Sequence, residues 1–391
     1  MKKATRGQIR GHNRQMVLRS VYTDTATSRA ALALEIGLSK PTISELVDGL
    51  INEGFLSEGG FGDSTDSGGK RPRLLRFVPN ARQVIGIWLT PTQIMGVLTT
   101  LDGEMIATHT VEIDVKMPFD EVSLQDEFMP RLGGVINGLI AQTDAPLLCI
   151  GIGIAGEVDA EGAIYAPRFS TVPVIFGEAV AERLGVPVYM ANSSALAALA
   201  LYSSKQTFRQ QRSEGIDLRL AMLISGEGVG MGAVLENAAQ QLGSEIGQIK
   251  VAGLSETQTL DTLLGWESIR ERARTLGREH QSPYLQSEAI SALLIRHAAE
   301  QHDPAALALS DELATQLAQV CGWVITLLQP KHLAITGEIS ALGEVFLKNV
   351  KKRLPLSPTI VGRVTFSIDE QPNLAALGAA YRAIQMELGL V

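Results

Sequence analysis

The stretch RAALALEIGLSKPTISEL at residues 29–46 puts Leu32, Ala33, Ile36, Leu38, Ile43 and Leu46 at the buried positions of two short helices joined by a turn at Gly37. A small residue is needed where such helices cross, and Ala33 supplies it. Gly37 supplies the tight turn. Ser39 is placed to cap the second helix and Pro41 suits its first turn, so Lys40, Thr42 and Ser44 project from the leading end. That end of a recognition helix meets base edges and phosphates. The plain alternative is an ordinary helical hairpin, which has no need of a capped, polar second helix. The pattern predicts a DNA-reading helix-turn-helix with Arg29, Ser39, Lys40, Pro41, Thr42 and Ser44 as candidate contacts.

The next segment has matching chemistry. Phe55-Leu56 and residues 74–77 read as two strands joined by the loop FGDSTDSGGKRP, the order of a winged helix. Lys70, Arg71, Arg73 and Arg76 cluster beside Gly69 and Pro72 on a narrow backbone suited to a minor groove or to phosphates. A basic hairpin that is only a solvated surface is the bland reading. Charge partition favours the first: residues 1–80 carry 12 Lys+Arg and 8 Asp+Glu, net +4, whereas the rest carries 22 and 34, net −12. An acidic body disfavours non-specific nucleic-acid binding there and suits a sensor or an enzyme.

At 391 residues the chain has room for the head and two further packed lobes. No apolar run approaches the ~20 residues of a membrane span, and no signal-peptide core follows the basic start, so a cytoplasmic protein is expected. Cys149 and Cys321 lie far apart in apolar contexts and are expected to pack as small hydrophobes without a disulfide. Beyond Pro79-Asn80, strands alternate with helices: VIGIWLT, IMGVLTTLDG, EMIATHTVEID, a helix near 128–141, then LLCIGIGIAGEVD. A strand at 188–191 leads into an Ala-rich helix. LRLAMLISGEGVGMGAVLE then repeats the strand, Gly-rich turn, strand scheme. Helical spacing runs from Thr259 to about Leu328, before a buried strand in HLAITGEIS and a closing helix in LAALGAAYRAIQ.

Taken in order, the head RAALALEIGLSKPTISELVDGLINEG, the wing SGGKRP, GIGIAGEVD, GEGVGMG, GSEIGQ, ITGEIS and ALGAA resemble the ROK family of bacterial repressors and sugar kinases. The resemblance implies an α/β protein: a winged helix-turn-helix followed by a two-lobed, actin-like (ribonuclease H-like) sugar-kinase fold. The expected units are a DNA-binding domain at 1–80, a first lobe at 81–191 to which 374–391 return, and a second lobe at 192–373 with a helical insertion and the dimer interface.

Phosphoryl transfer needs Gly-rich phosphate loops, a metal to offset charge and a carboxylate base. Each family feature is altered. The first phosphate loop, Asp-x-Gly-Gly-Thr, falls on WLTPT, with Trp88 for the Asp and Thr90-Pro91 for the glycines; only Thr92 is kept. Gly-Thr-Gly becomes Gly226-Glu227-Gly228, and Gly-Gly-Gly becomes Thr336-Gly337-Glu338, each with an acid where an anion would sit. The Asn-Asp carrying the base becomes Asn192-Ser193, and serine is no base at neutral pH without an activator. These departures predict a protein that is not an enzyme.

Sugar-binding groups are better kept. Asn192, Glu245 and Glu267 match the family's sugar-contacting positions, and Gln248 replaces its His. Arg168 stands where Asn is usual, a cation suited to a sugar phosphate or to pairing with Glu157 or Asp159. A structural polar network at a lobe junction is the alternative for all five. The family's zinc segment has three cysteines, whereas this chain reads ETQTLDTLLGWES, so no tetrahedral zinc site is expected. Leu260, Leu263, Leu264 and Trp266 would pin that loop by burial instead.

The chain is therefore expected to be a transcriptional regulator, most readily a repressor of carbohydrate-metabolism genes. It would bind a double-stranded operator as a homodimer or tetramer, need no cofactor, and answer to a sugar or sugar phosphate held between the lobes. The rival readings are a constitutive DNA binder, a regulator controlled by a protein partner, and an active kinase.

Overall fold

A computed structural model describes residues 5–23, 27–62, 71–90, 92–113, 118–158, 164–166, 169–173, 177–202, 218–226, 228–235, 241–244, 246–250, 258–287 and 289–390. The first 80 residues form three helices, Arg6–Thr23, Arg29–Ile36 and Lys40–Asn52, against a three-stranded sheet. Its order is Thr27–Ser28, Arg73–Phe77, Leu56–Phe61, all antiparallel. Ser28 caps the second helix by accepting from the Ala31 N–H, and Gly37 ends it at φ 75°. Only glycine takes that left-handed turn without strain. Leu32, Ile43 and Leu46 are buried as the spacing predicts, while Ala33, Ile36 and Leu38 are partly buried against the same core.

The helix Arg6–Thr23 is absent from the sequence reading. Its apolar residues lie almost entirely in its last two turns, where Val17, Leu18 and Val21 are buried in the head's core. The polar first half carries no periodic signal.

Two five-stranded sheets make the body. The first has the order Val188–Asn192, Leu147–Ile154, Gln83–Leu89, Gln93–Thr100, Met105–Glu112. The second runs Gln241–Ser244, Gly228–Leu235, Leu218–Ser225, His332–Gly337, Thr365–Ile368. The strand at 332–337 ends at Gly337 rather than continuing through EIS, which forms the tight helix Glu338–Leu342. The expected helical stretch resolves into Leu260–Leu264, Trp266–Glu279, Ala292–Glu300 and Pro304–Leu328. Among the described residues, no helix is long and apolar enough to cross a membrane.

Small residues let the helix Leu374–Leu388 lie directly on the first sheet. A Cβ at Gly86 would stand 2.0 Å from the Ala376 carbonyl oxygen, and one at Gly151 1.9 Å from that of Ala379. The Ala-rich helix Ser193–Tyr202 meets the same helix at Gly378 and the second sheet at Gly232. The GIGI and ALGAA segments thus record backbone-to-backbone packing. Cys149 and Cys321 are fully buried as small apolar side chains.

Head and body share one apolar cluster. Val17, Leu18, Val21, Leu32, Ile43 and Leu75 belong to it together with Trp88, Leu374, Ile384, Leu388 and Leu390. Gly389 caps the closing helix at φ 65°, with its Cα so near the head that an added Cβ would lie 2.6 Å from Gln15 Cβ. Gly389→Ala is expected to cost about 1 kcal/mol at the cap and to displace helix Arg6–Thr23. Faster amide exchange in residues 6–23, with exchange in strand Leu218–Ser225 unchanged, would show it.

Candidate functional site

In the head, Ser39 Oγ accepts from the Thr42 N–H at 3.3 Å and pairs with Thr42 Oγ1 at 2.8 Å, with Pro41 in the first turn. Lys40 and Pro41 are exposed, and Thr42 and Ser44 are partly exposed. Arg71 and Arg76 are exposed on the wing; Lys70 lies outside the described residues.

Arg29 departs from its expected use. Its guanidinium donates to the Ser44 carbonyl at 3.2 Å, Asp48 Oδ1 at 2.7 Å and Glu58 Oε1 at 2.9 Å. It clamps the first helix of the pair to the second and to the wing strand, because two carboxylates compete for it before any phosphate can. Arg73 shares Glu58 at 2.7 Å but keeps 66% of its side chain in solvent. These two arginines, Arg73 first, hold the Glu58 carboxyl below its usual range.

In the body, several described backbone donors of these loops are already used. Thr90 Oγ1 accepts from the N–H groups of Thr92 at 3.4 Å and Gln93 at 3.0 Å and donates to the Gln93 carbonyl. The Glu338 carboxylate accepts from the backbone N–H of Gly226 and from its own. Burial chiefly, and then Glu267, push Glu338 up to about 7, against the lowering effect of those N–H groups and of Arg270. Ser193, which the resemblance aligns with the kinase base, is buried with its hydroxyl unpartnered among the described residues.

Asn192 is buried and structurally engaged. Its Nδ2 donates to the Gly156 carbonyl at 2.8 Å, and its Oδ1 accepts from Ser194 and Ala195 at the start of the Ala-rich helix. Gln248 donates to Asp261 Oδ2 at 2.9 Å, and Asp261 Oδ1 accepts from the Val229 N–H at 2.8 Å. A Cβ on Gly247 would fall 1.6 Å from Asp261 Oδ1. Asp261 therefore ties the turn Ile246–Gln248, the strand Gly228–Leu235 and the helix Leu260–Leu264 together. Its only sequence signal was an acid in the first turn of a short helix. Leu260, Leu264 and Trp266 are buried and Leu263 is partly buried in the same core, as the loop-pinning reading predicts.

Glu267 is bonded to Arg270 and stands by Gly226 and Glu338, a different neighbourhood from that of Asn192. Glu227, Glu245 and Arg168 lie outside the described residues. Between the sheets opens a cleft of about 580 Å³, lined by Trp88, Met95, Thr110, Trp266, Leu293 and Glu338 among others. Among the described residues no group of three or more His, Cys, Asp or Glu side chains is placed to hold a metal.

The family model described as ROK family matches residues 84–381. A putative xylose repressor from Caldicellulosiruptor sp. (strain Rt8B.4) is 25% identical over 361 residues, covering 88% of this chain and 87% of its own. A crystal structure of a ROK family transcriptional regulator, a homolog of E. coli MLC protein, superposes with TM-score 0.74 at 20% identity, over 96% of this chain and 97% of its own. A ROK family glucokinase from Streptomyces griseus, solved with glucose and AMPPNP, gives 0.63 at 21% identity, over 78% of this chain and 99% of its own. The regulator's match takes in the head; the kinase's coverage matches the body's share of the chain.

Proposed function

Because this chain belongs to the ROK family, we propose that it is a sugar-responsive transcriptional repressor whose body binds its effector without phosphorylating it. The observation that carries this is the capped recognition helix Lys40–Asn52, its leading end free, on a ROK body. Lys40, Thr42 and Ser44 read the operator, while Arg71 and Arg73, with Lys70, meet the backbone. Loss of catalysis is supported by phosphate loops whose donors go to Thr90 and Glu338, and by serine in place of the base.

The effector is a pentose or hexose, or its phosphate, as the xylose-repressor names of several relatives suggest. Glu245, Gln248, Asn192 and Arg168 are its proposed contacts. Asn192 reaches it only with whatever its structural bonds leave free, and Glu267 serves the Gly226 side of the cleft. Trp323, Leu327 and Leu328 are exposed at the end of the helix Pro304–Leu328 and form the proposed homodimer face. A dimer presents two heads to two half-sites.

The test is operator binding across a panel of D-xylose, D-glucose and their phosphates. Affinity for a two-fold symmetric site should fall by several orders of magnitude between about 50 and 200 mM salt, and one sugar should weaken it. Glu245→Ala should keep operator affinity and lose at least tenfold in response, the worth of one charged hydrogen bond of about 1.5–3 kcal/mol. Equal affinity for random DNA removes the regulator; a wild type that no sugar moves removes the sensor; ATP-dependent sugar phosphorylation restores the kinase.

A further inference from the structure

We propose that the cleft lined by Trp88, Trp266 and Glu338 is a second ligand site, which takes a small aromatic or alkyl amine in its cationic form and no nucleotide. The argument rests on the cleft's walls and on a buried carboxylate oxygen that receives no hydrogen bond among the described residues, and is independent of the sugar-sensing reading.

The walls are apolar and aromatic. Trp88 and Met95 come from the first sheet, Trp266, Ile290 and Leu293 from the helical part of the second lobe, and together they suit a flat or branched hydrocarbon body. Of the charged groups lining the cleft, Arg270 is bonded to Glu267 and Glu370 faces Arg296 at 3.5 Å. Glu338 forms no salt bridge among the described residues, although Arg270 lies near enough to lower its proton affinity, and its Oε2 is buried without a hydrogen bond there. A buried carboxylate in that condition takes up a proton or a cation. A protonated amine supplies both the charge and the N–H donors.

Indole faces add to the preference. A cation within about 6 Å of a tryptophan ring is favoured by its quadrupole, and two tryptophans line this space. Trp88 Nε1 is also buried without a partner among the described residues and can donate to a ligand oxygen or ring nitrogen. A triphosphate meets the opposite conditions. Its charges would face Glu338 while the Gly226 and Gln93 N–H groups stay engaged.

The experiment is a thermal-shift and calorimetric titration of the full-length protein with tryptamine, phenethylamine and isoamylamine, against indole-3-acetate, adenosine, ATP and D-xylose. The amines should raise Tm in a concentration-dependent way, with affinity at least tenfold above that of the carboxylate and the nucleotides. Two variants should each weaken amine binding at least tenfold. Glu338→Gln removes the charge and keeps the shape; Thr110→Arg, at an exposed strand position on the cleft rim, fills the entrance and adds a like charge. The proposal is overturned if no amine binds, if adenosine or ATP binds more tightly than every amine, or if amine affinity survives both substitutions.

Discussion

Asp261→Ala is expected to lower stability by about 3 kcal/mol, since hydrogen bonds to a charged group are each worth about 1.5–3 kcal/mol and the abandoned partners lie in the interior. The carboxylate is 7% exposed and holds the Val229 N–H and the Gln248 amide at once. Its loss frees the turn Ile246–Gln248, the part of the chain that carries a proposed effector contact. The variant should therefore lose its sugar response while the head, whose apolar cluster does not include Leu260, Leu264 or Trp266, still binds the operator. Limited proteolysis should cut first near residues 246–264. Asp261→Asn tests the role of charge: it keeps one acceptor for Val229 and should recover part of the stability. A Tm within about 1 °C of wild type for the alanine variant would show that Leu260, Leu264 and Trp266 alone pin this loop.

In that loop, apolar contacts are legible in the sequence and polar ones are not. Hydrophobic spacing identified Leu260, Leu264 and Trp266 as buried because burial follows residue type closely. Asp261 escaped because an acid at a helix start has a sufficient local explanation, and its long-range partners at 229 and 248 leave no mark on spacing. The same holds for Arg29. It is among the candidate DNA contacts, whereas Asp48 and Glu58, 19 and 29 residues away, claim it. Cap and turn chemistry at Ser39 and Gly37 was legible since those bonds span three or four residues. The Ala- and Gly-rich strands and helices were assigned, yet the backbone approach of Ala376 to Gly86 that needs them was not, because glycine in a strand has several causes.

Glu338 yields the second large effect, and its sign is fixed by the direction of its shift. Burial, with Glu267 nearby, moves its proton affinity up to about 7, from a value of 4.5 when unfolded. Below pH 4.5 the group is neutral in both states and costs nothing. As pH rises from 4.5 to 7 the unfolded chain releases the proton first, so folding is progressively penalised, and above 7 the penalty is constant. At 1.36 kcal/mol per unit it is at most about 3 kcal/mol. Glu338→Gln removes the titration and can still accept from the Gly226 N–H through its amide oxygen. The variant should match wild type in Tm near pH 4.5 and exceed it by several degrees at pH 8, with the gap opening between those values. Glu267 and Arg270 stay paired in both proteins, so their contributions cancel in the comparison. A gap that is constant across the pH range would mean that Glu338 is ionised throughout, and a wild type more stable at pH 8 would mean that its carboxylate is a net stabilising occupant of the loop.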